Sequence, residues 1–134
     1  MYKLYFAERD TTLYERFPKQ NTGIDQILEL TKVASGSKIN GLVQANTTNT
    51  RILLDFGSQI TSISNDISNS KIPPIGTSAL SSSVYLNIKA SEASDLPLSY
   101  TIKAFPISES WDNGNGLFSD IPETRVGSSW LNRS

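Results

Sequence analysis

The stretch from Glu109 to Trp130, E-S-W-D-N-G-N-G-L-F-S-D-I-P-E-T-R-V-G-S-S-W, constrains this chain more than any other. It holds both tryptophans of the protein, one near each end. Gly114, Gly116, Gly127 and Pro122 break helix and strand alike, since glycine favours turns and proline lacks an amide donor. A stretch of about twenty residues without regular structure is long for a small domain. Such loops are functional, wrapped around a core, or disordered. The remaining residues are expected to form the scaffold that carries it.

That scaffold reads as β. Tyr2, Leu4 and Phe6 alternate with Lys3 and Tyr5, which predicts a half-buried strand from Met1 to Ala7. Glu8–Gly23 is a loop with an extended piece at Thr11–Tyr14. Ile24–Val33 is two-sided: Ile24, Ile27, Leu28 and Thr31 make a helical stripe, while Leu28 with Leu30 and Ile27 with Val33 fit the two faces of a strand. The strand is preferred. Ser35–Asn49 reads as a loop or frayed hairpin. Arg51–Phe56, R-I-L-L-D-F, is apolar on both sides and belongs in the middle of a sheet. Ile60, Ile63 and Ile67 allow one short helical turn in the connection Gly57–Ser83. Val84–Ala90 and Leu98–Phe105 alternate cleanly and predict two strands joined by a hairpin loop, Ser91–Pro97.

Composition removes most chemistry. The 134 residues predict one domain, 1–134, able to bury roughly two-thirds of its unfolded surface. Twelve basic and thirteen acidic residues, with no basic run, leave no electrostatic footprint for nucleic acid. The absence of cysteine and histidine excludes disulfides, thiolate and imidazole metal sites, and Ser-His or Cys-His nucleophile pairs. The longest aliphatic run, Ile52-Leu53-Leu54, is far too short for a membrane span, and the N-terminus lacks a signal-peptide pattern, so cytosolic synthesis is expected.

Three constellations fall in the long loop. Glu109, Asp112, Asp120 and Glu123 are close in sequence, but acidic residues are ordinary in turns, and no catalytic pair is expected. Asp112, Asp120 and Glu123 occupy positions one, nine and twelve of a calcium loop; positions three, five and six are Gly114, Gly116 and Leu117, which spoils the match. Calcium is the one cofactor considered. Trp111, Phe118 and Trp130 could stack a sugar, although aromatics at loop ends more often plug a core.

The order of motifs resembles a family. D-T-T-L-Y-E (Asp10–Glu15) precedes N-T-G (Asn21–Gly23), I-L-E-L (Ile27–Leu30), R-I-L-L-D-F (Arg51–Phe56) and V-Y-L-N-I (Val84–Ile88). Y-T-I-K-A-F-P (Tyr100–Pro106), E-S-W-D (Glu109–Asp112) and G-S-S-W (Gly127–Trp130) follow. This succession is similar to the DNRLRE family of jelly-roll sandwiches, whose modules carry D-x-x-L/V-Y, an Arg-led strand, and W-x-E/G and G-x-x-W segments. The variant with W-D-x-G-x-G-x-F-x-D-x-P is similar to virion structural proteins of tailed bacteriophages. The resemblance implies an all-β, jelly-roll-like antiparallel β-sandwich with long loops, a strand at Ile27–Val33, and no catalysis.

The expected function is therefore that of a bacteriophage virion structural protein, a capsid decoration, neck or tail accessory subunit. It would sit in a multimeric assembly with other virion proteins, without nucleic acid or membrane. The alternative is a carbohydrate-binding module of a phage fibre or cell-surface protein. Trp111, Asn113, Asn115 and Phe118 are the candidate contacts for a partner or glycan, and Trp111, Trp130, Arg51 and Phe56 the structural anchors. Relatives continue beyond the second tryptophan, which adds the expectation that a partner covers an open sheet edge.

Overall fold

The computed structural model describes residues 4–33, 35–36, 38–39, 41–43, 48–69, 85–92 and 99–134. The chain divides into two compact units, one of Leu4–Thr61 with Ser110–Ser134, the other of Met1–Lys3 with Ser62–Glu109.

In the first unit, β1 (Arg9–Tyr14) and β5 (Thr48–Asp55) pair antiparallel from Arg9↔Asp55 to Tyr14↔Thr50. The short β2 (Lys32–Val33) pairs with Asn49 and Thr48, so β5 is the middle strand of the order β1-β5-β2. The central placement expected for Arg51–Phe56 is what the sheet shows, with the strand beginning three residues earlier. Threonines suit β1 because their branched side chains pack on a pleat. Thr11 and Thr12, 0% and 1% exposed, are covered on both faces of the strand. The hydroxyl of Thr22 accepts from Thr12 N (3.3 Å) and donates to Thr12 O (2.7 Å). Those are backbone groups that a further strand would use, and Thr22 thereby blunts the edge of β1.

A hairpin, β3 (Lys38–Ile39) with β4 (Leu42–Val43), pairs Ile39 with Leu42 across a two-residue turn. The second turn residue, Gly41, has φ 79°, the left-handed conformation that such turns require. The expected frayed hairpin is thus present. The isoleucine spacing in the next segment gives a full helix, α1 (Gln59–Ser68), longer than the single turn expected. Its first turn is tied by Gln59 N to Phe56 O (2.7 Å). Ile63 and Ile67 are half-buried, as an amphipathic stripe dictates, while Ile60 in the first turn is exposed.

Several expected strands do not form. Residues 4–7 have no strand, and Leu4 and Phe6 are 65% and 76% exposed. Ile24–Val33 supplies only β2; residues 24–31 are irregular, their bonds taken by side chains such as Thr50 Oγ1, which donates to Glu29 O (2.9 Å) and accepts from Thr31 N. Residues 85–90 and 99–105 carry no strand and are exposed throughout. Residues 84, 93–97 and 98, and with them most of the expected hairpin loop, lie outside the described residues, as do residues 70–83. Alternation marks a face that needs covering; it does not supply the neighbouring strand. The described architecture is mostly strands with one short helix and a small antiparallel sheet, consistent with the all-β class.

Candidate functional site

Residues 110–130 form the expected long loop with no helix or strand in it. At its centre is a single buried amide. Asn21 is 0% exposed, and its side chain makes every bond open to a carboxamide with two donors and one acceptor oxygen. Nδ2 donates to Asn113 O (2.8 Å) and Ser128 O (2.9 Å). Oδ1 accepts from Gly116 N (2.8 Å) and, closing an Asx turn, from Gly23 N (3.1 Å). The backbone N of Asn21 donates to Thr124 O (2.8 Å). A loop with no ladder partner must still satisfy its buried peptide groups, and one side chain does so at three separate points of the loop.

The glycines explain how the amide gets so close. A β-carbon at Gly114 or Gly116 would collide with Asn21, and one at Gly127 with the backbone of Gly114. Gly127 also has φ 102°, a conformation that side chains disfavour. In the sequence these residues are breakers of helix and strand; in the fold they are also points of close approach. The loop's middle is therefore sewn to the scaffold at these points. Asn113 is half-buried and donates through Nδ2 to Gly23 O; Gly116 is buried; Asn115 stays exposed.

Each tryptophan lies against an arginine. Arg9 stacks on Trp111 at 5.2 Å, donates to its carbonyl (3.2 Å), and ion-pairs with Asp55. Arg51 lies over Trp130 at 4.6 Å. Both tryptophans are half-buried. Exposed cation–π contacts contribute about 0.5–1 kcal/mol each, whereas stranding one buried polar group costs about 1–3 kcal/mol. By magnitude, Asn21 is the pin and the two tryptophans are clasps. Phe56 is half-buried at the foot of α1. Phe118 joins an aromatic cluster, its ring 4.8 Å from Tyr14 and 5.4 Å, edge-on, from Phe17, while remaining 45% exposed.

The acidic residues are spread, each with its own local bond. Asp112 Oδ1 accepts from Gly114 N (3.2 Å), and Glu123 pairs with Arg125 at 2.7 Å. Asp120 accepts from Leu117 N (2.9 Å) and from the Thr124 hydroxyl, and these bonds hold its carboxyl below the usual carboxylate range. The structure does not bring Asp112, Asp120 and Glu123 together, and among the described residues no three such groups are placed to hold a metal ion. Glu109 belongs to the other unit. Asp55 is lowered by Arg9 and then by the amide of Gly57, and Glu8 by the hydroxyl and amide of Ser58. Tyr14 is pushed well above its ordinary value by burial and by the neighbouring carboxylate of Glu29, to which its hydroxyl donates (3.1 Å).

Sequence reasoning missed Asn21, Thr22 and Gln20, whose Nε2 bonds the carbonyls of Leu117 (3.1 Å) and Phe118 (2.6 Å). The signal was available: N-T-G is an Asx-turn pattern, and three glycines opposite it imply something passing close. No described helix is long and apolar enough to cross a membrane. Comparison with protein-family models, with curated proteins and with solved structures finds no match for the chain.

Proposed function

We propose that this chain is a structural subunit of a bacteriophage virion, a capsid decoration, neck or tail accessory protein, that works by packing against other virion proteins. The observation that carries the reading is where the apolar residues lie. Tyr14 is the buried hydrophobic residue of the described chain, while Phe6 (76%), Tyr85 (84%), Phe105 (77%) and Ile121 (97%) stand in solvent. Leu86, Ile88, Tyr100, Ile102 and Ile107 are at least half exposed as well. Scattered exposed hydrophobics are normal, but alternating runs of them mark surfaces covered by a partner. The DNRLRE-like order of motifs supplies the kind of assembly.

The finer fold belongs to the same proposal. β2 pairs with only the first two residues of β5, and the stretch Ile52–Leu54 of that strand is where an added strand would continue the pairing. Residues 85–90 and 99–105 have the period for a strand, and the jelly-roll-like sandwich would be completed when such segments pair on assembly. The chemistry needed is burial and repeated packing, not catalysis.

Sedimentation velocity over a range of concentrations, with far-ultraviolet circular dichroism, tests the assembly. Association accompanied by a gain of β signal is expected, together with the chain's presence in purified virions by mass spectrometry. A concentration-independent monomer of constant spectrum that is missing from virions overturns the reading. Phe118, 45% exposed beside Phe17, favours the second reading, a glycan platform. On a glycan array that reading requires binding that Phe118→Ala and Trp111→Ala abolish.

A further inference from the structure

We propose that Asn113 and Asn115 are deamidation sites that the Asn21 knot keeps inert, and that opening the knot converts them irreversibly. The run N-G-N-G places two Asn-Gly pairs side by side, Asn113-Gly114 and Asn115-Gly116. Glycine after asparagine permits the reaction because no side chain obstructs the approach of its amide nitrogen. That nitrogen loses its proton and attacks the asparagine Cγ. The Cγ–Nδ2 bond breaks, ammonia leaves carrying the proton, and a succinimide ring forms. Water then opens the ring to aspartate or, through the other carbonyl, to isoaspartate.

Both attacking nitrogens are occupied in the fold. Gly116 N donates to the buried Oδ1 of Asn21 at 2.8 Å, and Gly114 N donates to Asp112 Oδ1 at 3.2 Å. The target side chain of Asn113 is also fixed, its Nδ2 donating to Gly23 O and its backbone O accepting from Asn21 Nδ2. The Gly116 N–H, held by a hydrogen bond in a buried site, neither loses its proton readily nor swings onto Cγ; the Gly114 N–H, bonded at a more exposed place, is kept from Cγ by the fixed side chain and carbonyl of Asn113. Reaction is then confined to the fraction of molecules in which the loop has opened locally.

The product cannot restore the knot. An aspartate at 113 would turn an acceptor toward Gly23 O where an amide now donates, and would bury charge at a position whose Oδ1 already lacks a hydrogen-bond partner. An isoaspartate at 115 would add a methylene to the backbone beside Gly116, which has no room to shift against Asn21. The loop therefore carries a one-way chemical record of its own opening.

The test incubates the whole purified chain in native buffer and in concentrated urea at mildly alkaline pH, with peptide mapping by mass spectrometry that separates isoaspartate. Asn40-Gly41, the third Asn-Gly pair of the sequence, reports the intrinsic reactivity in urea. In urea all three pairs are expected to convert at similar rates. In native buffer Asn113 and Asn115 are expected to convert at least about tenfold more slowly than in urea, because only the open fraction reacts. Asn21→Ala should return their native rates to near the urea value. Equal native and urea rates at Asn113 and Asn115 overturn the proposal, as does a folded Asn21→Ala chain that deamidates no faster than the unmodified one. If Asn21→Ala does not fold, urea concentrations below the unfolding midpoint decide instead. Rates there must rise with urea in step with exchange of the Gly116 amide; rates that stay flat while that amide opens overturn the proposal.

Discussion

Residues 110–130 and the segments 85–90 and 99–105 are opposites. The loop has glycines, a proline and no periodicity, yet its backbone is bonded at Asp112, Ser128, Gly116, Leu117 and Phe118, and Gly116, Gly127, Ser128 and Ser129 are buried. The two segments have the cleanest β alternation in the chain, yet no strand, and their side chains are exposed. The difference shows what each kind of signal reports. Periodicity states which face needs burial and is silent on who provides it. A polar, glycine-rich loop can be rigidly held without any periodicity, provided one side chain satisfies its peptide groups.

Removing that side chain should give the largest effect. Asn21→Ala is expected to destabilise the fold by about 3–5 kcal/mol in urea denaturation, since it strands several buried donors and acceptors at once. A loss under 1 kcal/mol would erase the contrast between the two regions. Gly127→Ala comes next, at about 2–4 kcal/mol, because it combines a disfavoured φ with a collision against the Gly114 backbone. The same substitution at Gly36, where an added β-carbon meets nothing, isolates the conformational part alone, about 1–2 kcal/mol.

A smaller effect is expected at Tyr14. Tyr14→Phe removes the bond to Glu29 and should cost about 1–1.5 kcal/mol. Its titration gives a sign that can be checked. The folded state holds the neutral phenol with a raised pKa, so the stabilisation is complete below the ordinary value of 10 and is lost as pH rises beyond it. Denaturation midpoints should fall above pH 10 in the unmodified chain and less in Tyr14→Phe. At the acid end, Asp55 and Asp120 have lowered folded pKa values. Their contribution is present above the ordinary value of 3.8 and fades as pH drops through the folded ones.

The smallest effect on stability is expected where alternation is strongest. Ile88→Ser and Ile102→Ser should move the midpoint by no more than about 0.5 kcal/mol, since both side chains are exposed. The same changes should weaken concentration-dependent association, the property assigned to those segments. A large destabilisation without change in association would mean that the chain covers them itself.

How much was readable follows the same division. The centrality of R-I-L-L-D-F, the hairpin around Gly41 and the helical spacing of Ile60, Ile63 and Ile67 rest on local pattern, and the structure agrees with them. The strand expected over Ile24–Val33 failed because Thr50 and Thr12 side chains take the backbone groups of Glu29 and Thr31 that a ladder would need. The tie between the loop and Asn21 was not legible because the two lie about ninety residues apart in sequence, a separation at which spacing carries no information. Asp112, Asp120 and Glu123 matched three positions of a calcium loop while Gly114, Gly116 and Leu117 missed three others, and the local bonds of each acidic residue set its direction.

The central claim is that one buried amide, rather than the two tryptophans, holds the loop. Native-state hydrogen exchange of the Gly116 amide tests it most directly. Gly116 is expected to exchange as slowly as the β1–β5 ladder amides, with Asn21→Ala abolishing this protection and Trp111→Ala leaving it largely intact. Exchange of Gly116 at the rate of an unprotected loop in the unmodified chain would contradict the claim.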